Sequence, residues 1–292
     1  MSSTRRAKTG EALAALSFVL PGVSVISICV FIPMAIALVL SFTHCSQFLS
    51  VRWAGFSNYA RLFSDPKASG AIANTLLYTI TSVPATLVCS LAVALILNRE
   101  FPGIRFIRSV YFVPVAVSGV VTASIFRFLF DPTNGPLNAV LGVLGFEPVA
   151  WLGDPQYAMG AIIFMSLWKG TAFFAIILLA ALQHVPRELL EAATVDGAGP
   201  IARFFHVTLP SIRGTVITVV MLSSIGAFRV FEPMFVLTRG GPADSTQTVA
   251  LLAYNAAFQD GEIGYANAIG FALLVVILGV TWVLNTFGEE RQ

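Results

Sequence analysis

The sequence predicts an all-α membrane protein with six transmembrane helices, and three observations carry that expectation. Of its 292 residues, 57% are hydrophobic and only 11% are charged, whereas soluble domains carry about 25% charged residues. Six apolar stretches reach the length of about 20 residues that a helix needs to cross a bilayer. Lysine and arginine gather in alternating loops, the pattern that sets the direction of membrane helices. None of the stretches shows the alternation of a barrel strand, so the spans are expected to be helical.

In chain order the spans fall at 13–42, 70–97, 107–130, 157–182, 209–237 and 265–287. A basic start, Arg5, Arg6 and Lys8, precedes an apolar run from Leu13 to Leu40. That run is longer than the roughly 7–15 residues of a signal-peptide core and is read as a retained first span. Arg99, Arg105 and Arg108 fall between spans two and three, and Arg187 and Arg203 between spans four and five. With Arg213 and Arg291, these join the N-terminal cluster on one side. Only Arg52, Arg61, Lys67 and Arg239 fall on the other side. The long loop at 131–156 has neither lysine nor arginine, which places it outside. Both termini are therefore expected in the cytoplasm. Tails at 1–12 and 288–292 flank a single membrane domain at 13–287.

Several function classes are excluded. A net charge of +2 with no basic run does not suit nucleic acid. Cys29, Cys45 and Cys89 are odd in number and far apart, as are His44, His184 and His206, so no metal site is legible. The lysines Lys8, Lys67 and Lys169 follow Ala7, Pro66 and Trp168, so no Gly-Lys-Ser/Thr phosphate loop exists. The chain is expected to bind no cofactor and to hydrolyse no ATP. No clustered carboxylates, histidines or cysteines mark a membrane enzyme.

The most informative stretch is EAATVDGAGPIARFFHVTLP, Glu191 to Pro210, in the second cytoplasmic loop at 183–208. Pro186 suits the opening of a helix and Gly197 a left-handed end. Pro200 then opens a second short helix with Ile201, Phe204 and Phe205 as its apolar face, and Pro210 is expected to start span five. Arg187 and Glu191, four apart, are placed to pair. Small Ala192 and Ala193 allow close approach. Such a pair of helices fits either a groove on another protein or the surface of the bilayer.

The spacing of Glu191-Ala192-Ala193, Gly197 and Leu209-Pro210 resembles the EAA loop of bacterial ABC-importer permeases, EAA-x3-G-x9-I-x-L-P, with Val207 in place of Ile. Four further stretches, WAGFSNYARLF from Trp53, NTLLYT from Asn74, FLFDPTNGPLNAVL from Phe128 and FRVFEPMFVLTRGGP from Phe228, resemble the carbohydrate-uptake group of that family, the maltose and glycerol-3-phosphate type. The resemblance implies a type I ABC importer permease fold and a place in the bacterial inner membrane. It implies that Glu191, Ala192, Ala193, Asp196, Gly197, Arg203, Leu209 and Pro210 dock on a cytoplasmic ATPase. The implied partners are a second homologous permease subunit, two copies of that ATPase using ATP and Mg, and an extracytoplasmic substrate-binding protein.

By resemblance, the solute path is lined by Ser166, Lys169, Gly170 and Phe173 on span four, and by Ser223, Gly226, Ala227 and Val230 on span five. Lys169 lies about 18 Å inward from Tyr157, near the middle of a core about 30 Å thick. A cation there serves either a solute or a backbone or partner group. Phe173 suits stacking on a sugar face, and Ser166 and Ser223 suit hydroxyls. The small residues fit helix packing equally well. Arg127 and Arg229 lie near the outer surface, where Arg229 is placed to pair with Glu232. The expected function is import of a di- or oligosaccharide. Import of glycerol-3-phosphate or glycerophosphodiesters by the same architecture is one alternative, motivated by Lys169. An ion-coupled secondary transporter is the second, though Glu232 is the sole acid within a span.

Overall fold

The computed structural model describes residues 17–46 and 50–289. The tail at 1–12, the first residues of the expected span one at 13–16, and residues 290–292 lie outside it. The first span is α1 (Ser17–Ser41), whose apolar window buries nothing inside the chain. A hairpin of β1 (Thr43–Cys45) and β2 (Val51–Trp53) follows, with Thr43 opposite Trp53. Next comes α2 (Ser57–Ser64), then the second span, α3 (Pro66–Leu97). Asp65 starts α3 by accepting a 2.9 Å bond from the Lys67 amide, and Pro66 sits where an amide proton would be unused.

The third span corrects the expectation of one helix over 107–130. It is two half-helices, α4 (Ile104–Ala116) and α5 (Gly119–Leu129), bent by 99°. Val117 (ψ 133°) and Ser118 (ψ 145°) are extended, and an extended pair cannot carry the helical hydrogen-bond ladder. Hydropathy senses an apolar stretch and not its direction, which is why the break was invisible to it. Next in the chain come α6 (Pro136–Val143) and the loop to the fourth span, α7 (Pro155–Gln183).

The loop between the fourth and fifth spans holds α8 (Arg187–Val195) and α9 (Pro200–Arg203). The fifth span is α10 (Arg213–Phe228) followed, after an interruption at Phe231 (φ −132°, ψ −56°), by α11 (Glu232–Leu237). Pro210 does not start this span. It lies inside a helical run from Pro200 to Ser211, entered through a wide turn at Phe204–Thr208. There the Leu209 amide reaches back five residues to the Phe204 carbonyl. A widened turn of this kind accommodates a proline, which cannot donate to the ladder. The chain ends with α12 (Val249–Phe258), too short to cross, and the sixth span, α13 (Ile263–Glu289). That last helix continues into the residues expected to be tail.

Three apolar clusters organise the bundle. An outer one gathers Tyr78, Phe126, Phe130, Met159, Ile162, Met234 and Leu251. An inner one gathers Ala94, Leu97, Ile104, Phe174, Leu178, Leu182 and Val219. A third packs α2 and α12 on α13 through Leu62, Leu252, Tyr265 and Ile269. Whereas span three gives α5 to the outer cluster and α4 to the inner, spans two, four and five each contribute to both clusters from one helix. Between them those spans carry the buried polar residues Thr86, Ser90, Thr171, Ser223 and Ser224.

Candidate functional site

Two places concentrate polar chemistry: the loop between spans four and five and the belt between the two main clusters. In the loop, α8 ends as its glycine predicts. Gly197 has φ +81°, its amide donates to the Thr194 carbonyl at 3.0 Å, and the Ala198 amide donates to Ala193 at 2.9 Å. That is the double closure of a left-handed helix end. Arg203 Nη1 donates to Thr194 Oγ1 at 2.7 Å, tying α9 back to α8. Thr194 was not among the expected residues; its place one turn before the glycine is the signal that could have found it. The expected Arg187–Glu191 pair does not form, and Arg187 lies instead 3.7 Å from Glu100 at the end of span two.

The loop projects as a knob. Leu189, Glu191, Ala192, Val195 and Asp196 are exposed on α8 and its end, and Ile201 and Phe205 on the second helical run. Leu190 turns the other way, against the inner cluster. Ala193, Arg203 and Leu209 are half-buried, and Pro210 is exposed. The knob is thus anchored on one side and unoccupied on the other.

In the belt, Lys169 answers the break of span three. Its Nζ donates to the Val117 carbonyl at 2.9 Å. At the start of the next half-helix, a Cβ on Gly119 would clash with the Glu232 carboxylate. Glu232 therefore lies against the N-terminal end of α5, where the helix dipole favours a negative charge. Where a helix breaks inside a membrane, its freed carbonyl and amide groups need partners. Here spans four and five each lend one charged side chain. The expected Arg229–Glu232 pair is not among the ion pairs of the described residues.

Residues 86–288 match the family described as "Binding-protein-dependent transport system inner membrane component". A trehalose/maltose transport system permease protein of Thermococcus litoralis is 32% identical, covering 99% of this chain and 98% of its own length. A sulfoquinovosyl glycerol transport system permease protein of Agrobacterium fabrum is 33% identical, covering 96% and 92%. The chain belongs to this family of transport permeases. The crystal structure of a bacterial ABC transporter that imports the acidic polysaccharide alginate contains a chain with the same fold. It superposes with a TM-score of 0.88 at 23% identity, over 99% of this chain and 100% of that one.

Within this permease the expected path residues separate. Phe173 and Gly226 are exposed, and Lys169 and Gly170 are half-exposed. Ser166 is half-buried and its hydroxyl oxygen is shut off from solvent. Ser223 is buried and bonds the Val220 carbonyl of its own helix at 3.1 Å. Ala227 and Val230 belong to the outer cluster. Gly170 faces Thr86 of span two, where a Cβ would sit 3.5 Å from Thr86 Cγ2. The expected Gly226 lies in a stripe with Gly214, Thr218, Leu222 and Arg229, which were not among the expected path residues, all exposed on one face of span five. Its signal is the recurrence of small or polar residues, Leu222 excepted, every three or four positions.

Proposed function

We propose that the permease forms half of the pore of an ATP-driven, binding-protein-dependent importer of a di- or oligosaccharide. The observation that carries the reading is the cytoplasmic knob, closed by Gly197 and tied by Arg203, with its outer face bare. In this reading it seats in a cleft on a cytoplasmic ATPase. Two ATPase copies, using ATP and Mg, close and move the knob, and the spans alternate between outward and inward openings. A second homologous permease completes the pore, and an extracytoplasmic binding protein delivers the solute. The chain sits in a bacterial inner membrane with both termini in the cytoplasm.

The carbohydrate class is supported by the sugar systems named for relatives, the trehalose/maltose permease and the lactose permease of Rhizobium radiobacter, 30% identical. Lys169 motivated the phosphate alternative. With its ammonium engaged by the Val117 carbonyl, that cue is weaker than the sequence made it.

The test is ATPase activity of the complete complex in lipid vesicles, with its binding protein and panels of neutral oligosaccharides and glycerophosphodiesters. Stimulation by an oligosaccharide supports the reading. Stimulation only by phosphodiesters replaces the solute class, and solute uptake without ATP overturns the mechanism. Gly197→Val is expected to insert normally and to abolish uptake, because a β-branched residue does not hold φ +81°.

A further inference from the structure

The cytoplasmic ends of spans two, three and four enclose a polar cavity of about 840 Å³. Its basic lining is Arg105, Arg108 and Arg187, and its one acid is Glu100. Arg108 is held in place: its Nε and Nη2 donate to the Leu97 carbonyl at 3.0 and 2.6 Å. The Arg187–Glu100 contact is long and both side chains are 85% exposed, so it neutralises little. Arg105 has no acidic partner among the described residues. The cavity therefore presents an excess of positive charge over an apolar floor of Ile104, Leu182, Val185 and Leu190.

The surroundings say what that charge meets. Arg105 and Arg108 stand on the first two turns of α4, whose other face exposes Phe106, Ile107 and Val110. Those apolar side chains belong among acyl chains, so the cavity mouth lies at headgroup depth. Basic pockets between spans on the cytoplasmic side suit anionic headgroups. Within α8, Leu190 faces the cavity while Leu189, Ala192 and Val195 face away, so the cavity is on the membrane side of the knob and not on its free face.

We propose that this cavity seats the phosphate of an anionic lipid of the cytoplasmic leaflet, with Arg105 and Arg187 as its ligands. Because Arg187 opens α8, the bound headgroup steadies the base of the knob. The proposal rests on the cytoplasmic placement of this loop.

The experiment uses the complete transporter in vesicles of phosphatidylcholine with added phosphatidylglycerol, followed by mass spectrometry of the lipids it retains. The expected result is enrichment of phosphatidylglycerol, cut about fivefold by Arg105→Gln and largely kept by Arg105→Lys. No enrichment in the wild type, or enrichment indifferent to Arg105→Gln, overturns the proposal. A second arm adds inorganic phosphate: protection of the cavity by phosphate without lipid enrichment assigns it to a free anion and overturns the lipid. Release of the ATPase subunits by Arg105→Gln would make the cavity part of the motor seat and also overturn it. Gly197→Val is the separate control, expected to uncouple the motor while keeping the lipid, so the two readings fail in different ways.

Discussion

Asn138 uses its whole side chain to hold the outer loop together. Its Nδ2 donates to the Pro132 and Val149 carbonyls at 3.1 and 2.9 Å. Its Oδ1 accepts from the Val149 amide at 3.1 Å and Trp151 Nε1 at 3.0 Å. The motif residues Asn58 and Asn74 do similar work. Asn58 donates to the Ser41 and Thr43 carbonyls, both at 2.9 Å, and Asn74 to the Asp244 and Gln247 carbonyls at 2.8 and 3.0 Å. Motif asparagines thus act as staples, Asn138 and Asn58 within their own loops and Asn74 between segments distant in sequence. Asn138→Ala strips several buried partners at once and is expected to destabilise the permease by about 3 kcal/mol, read as a lower melting midpoint in detergent. An unchanged midpoint would mean that water replaces the side chain. The sequence displayed these residues as family resemblance, but their partners, up to 173 positions away, were not legible from spacing.

At the scale of the element, the broken third span is the main departure from pattern. Its two ends are served by different spans: Lys169 takes the Val117 carbonyl and Glu232 lies against Gly119. Lys169→Met orphans that carbonyl in an apolar setting, an expected loss of about 1–3 kcal/mol. Lys169→Arg should recover part of it, and thermal denaturation of both variants measures the difference. Gly119→Ala is expected to abolish uptake because the added methyl meets the Glu232 carboxylate. Pairing it with Glu232→Ala should restore at least part of the transport, a coupling that a double-mutant cycle reads directly. Additive losses would show that the contact is not what Gly119 serves. The outer end is clamped independently. Arg61 bonds Glu262 at 2.8 Å and lies 4.1 Å over the Tyr265 ring, while Tyr265 donates to Asp65 at 2.9 Å.

For the whole molecule, the outer and inner apolar clusters are separated by a belt of Thr86, Ser90, Thr171 and Ser224, with Lys169 at its edge. The two apolar bodies meet through small polar contacts, and the proposed alternation between openings uses that seam, since tightly interlocked cores resist sliding. The direction of the bundle is open to a simple check. With Cys29, Cys45 and Cys89 replaced by alanine, a cysteine at Val195 should label only from the cytoplasm and one at Thr133 only from outside. The reverse pattern would invert the topology and remove the knob from reach of ATP-using partners. The unburied first span and the bare knob both mark surfaces that the chain alone leaves uncovered.

The sequence by itself determined the class of the protein, the positions of its spans to within a few residues, and the left-handed turn at Gly197. Those features depend on local quantities: apolar run length, the distribution of lysine and arginine, and the backbone freedom of one glycine. Only the tertiary structure decided where span three breaks, what Lys169 holds, and which expected path residues face inward. Those outcomes depend on pairings between distant segments. A carbonyl freed at Val117 has meaning only once span four brings Lys169 beside it. Ser223 and Ala227 became interior residues only when spans two and four closed over them.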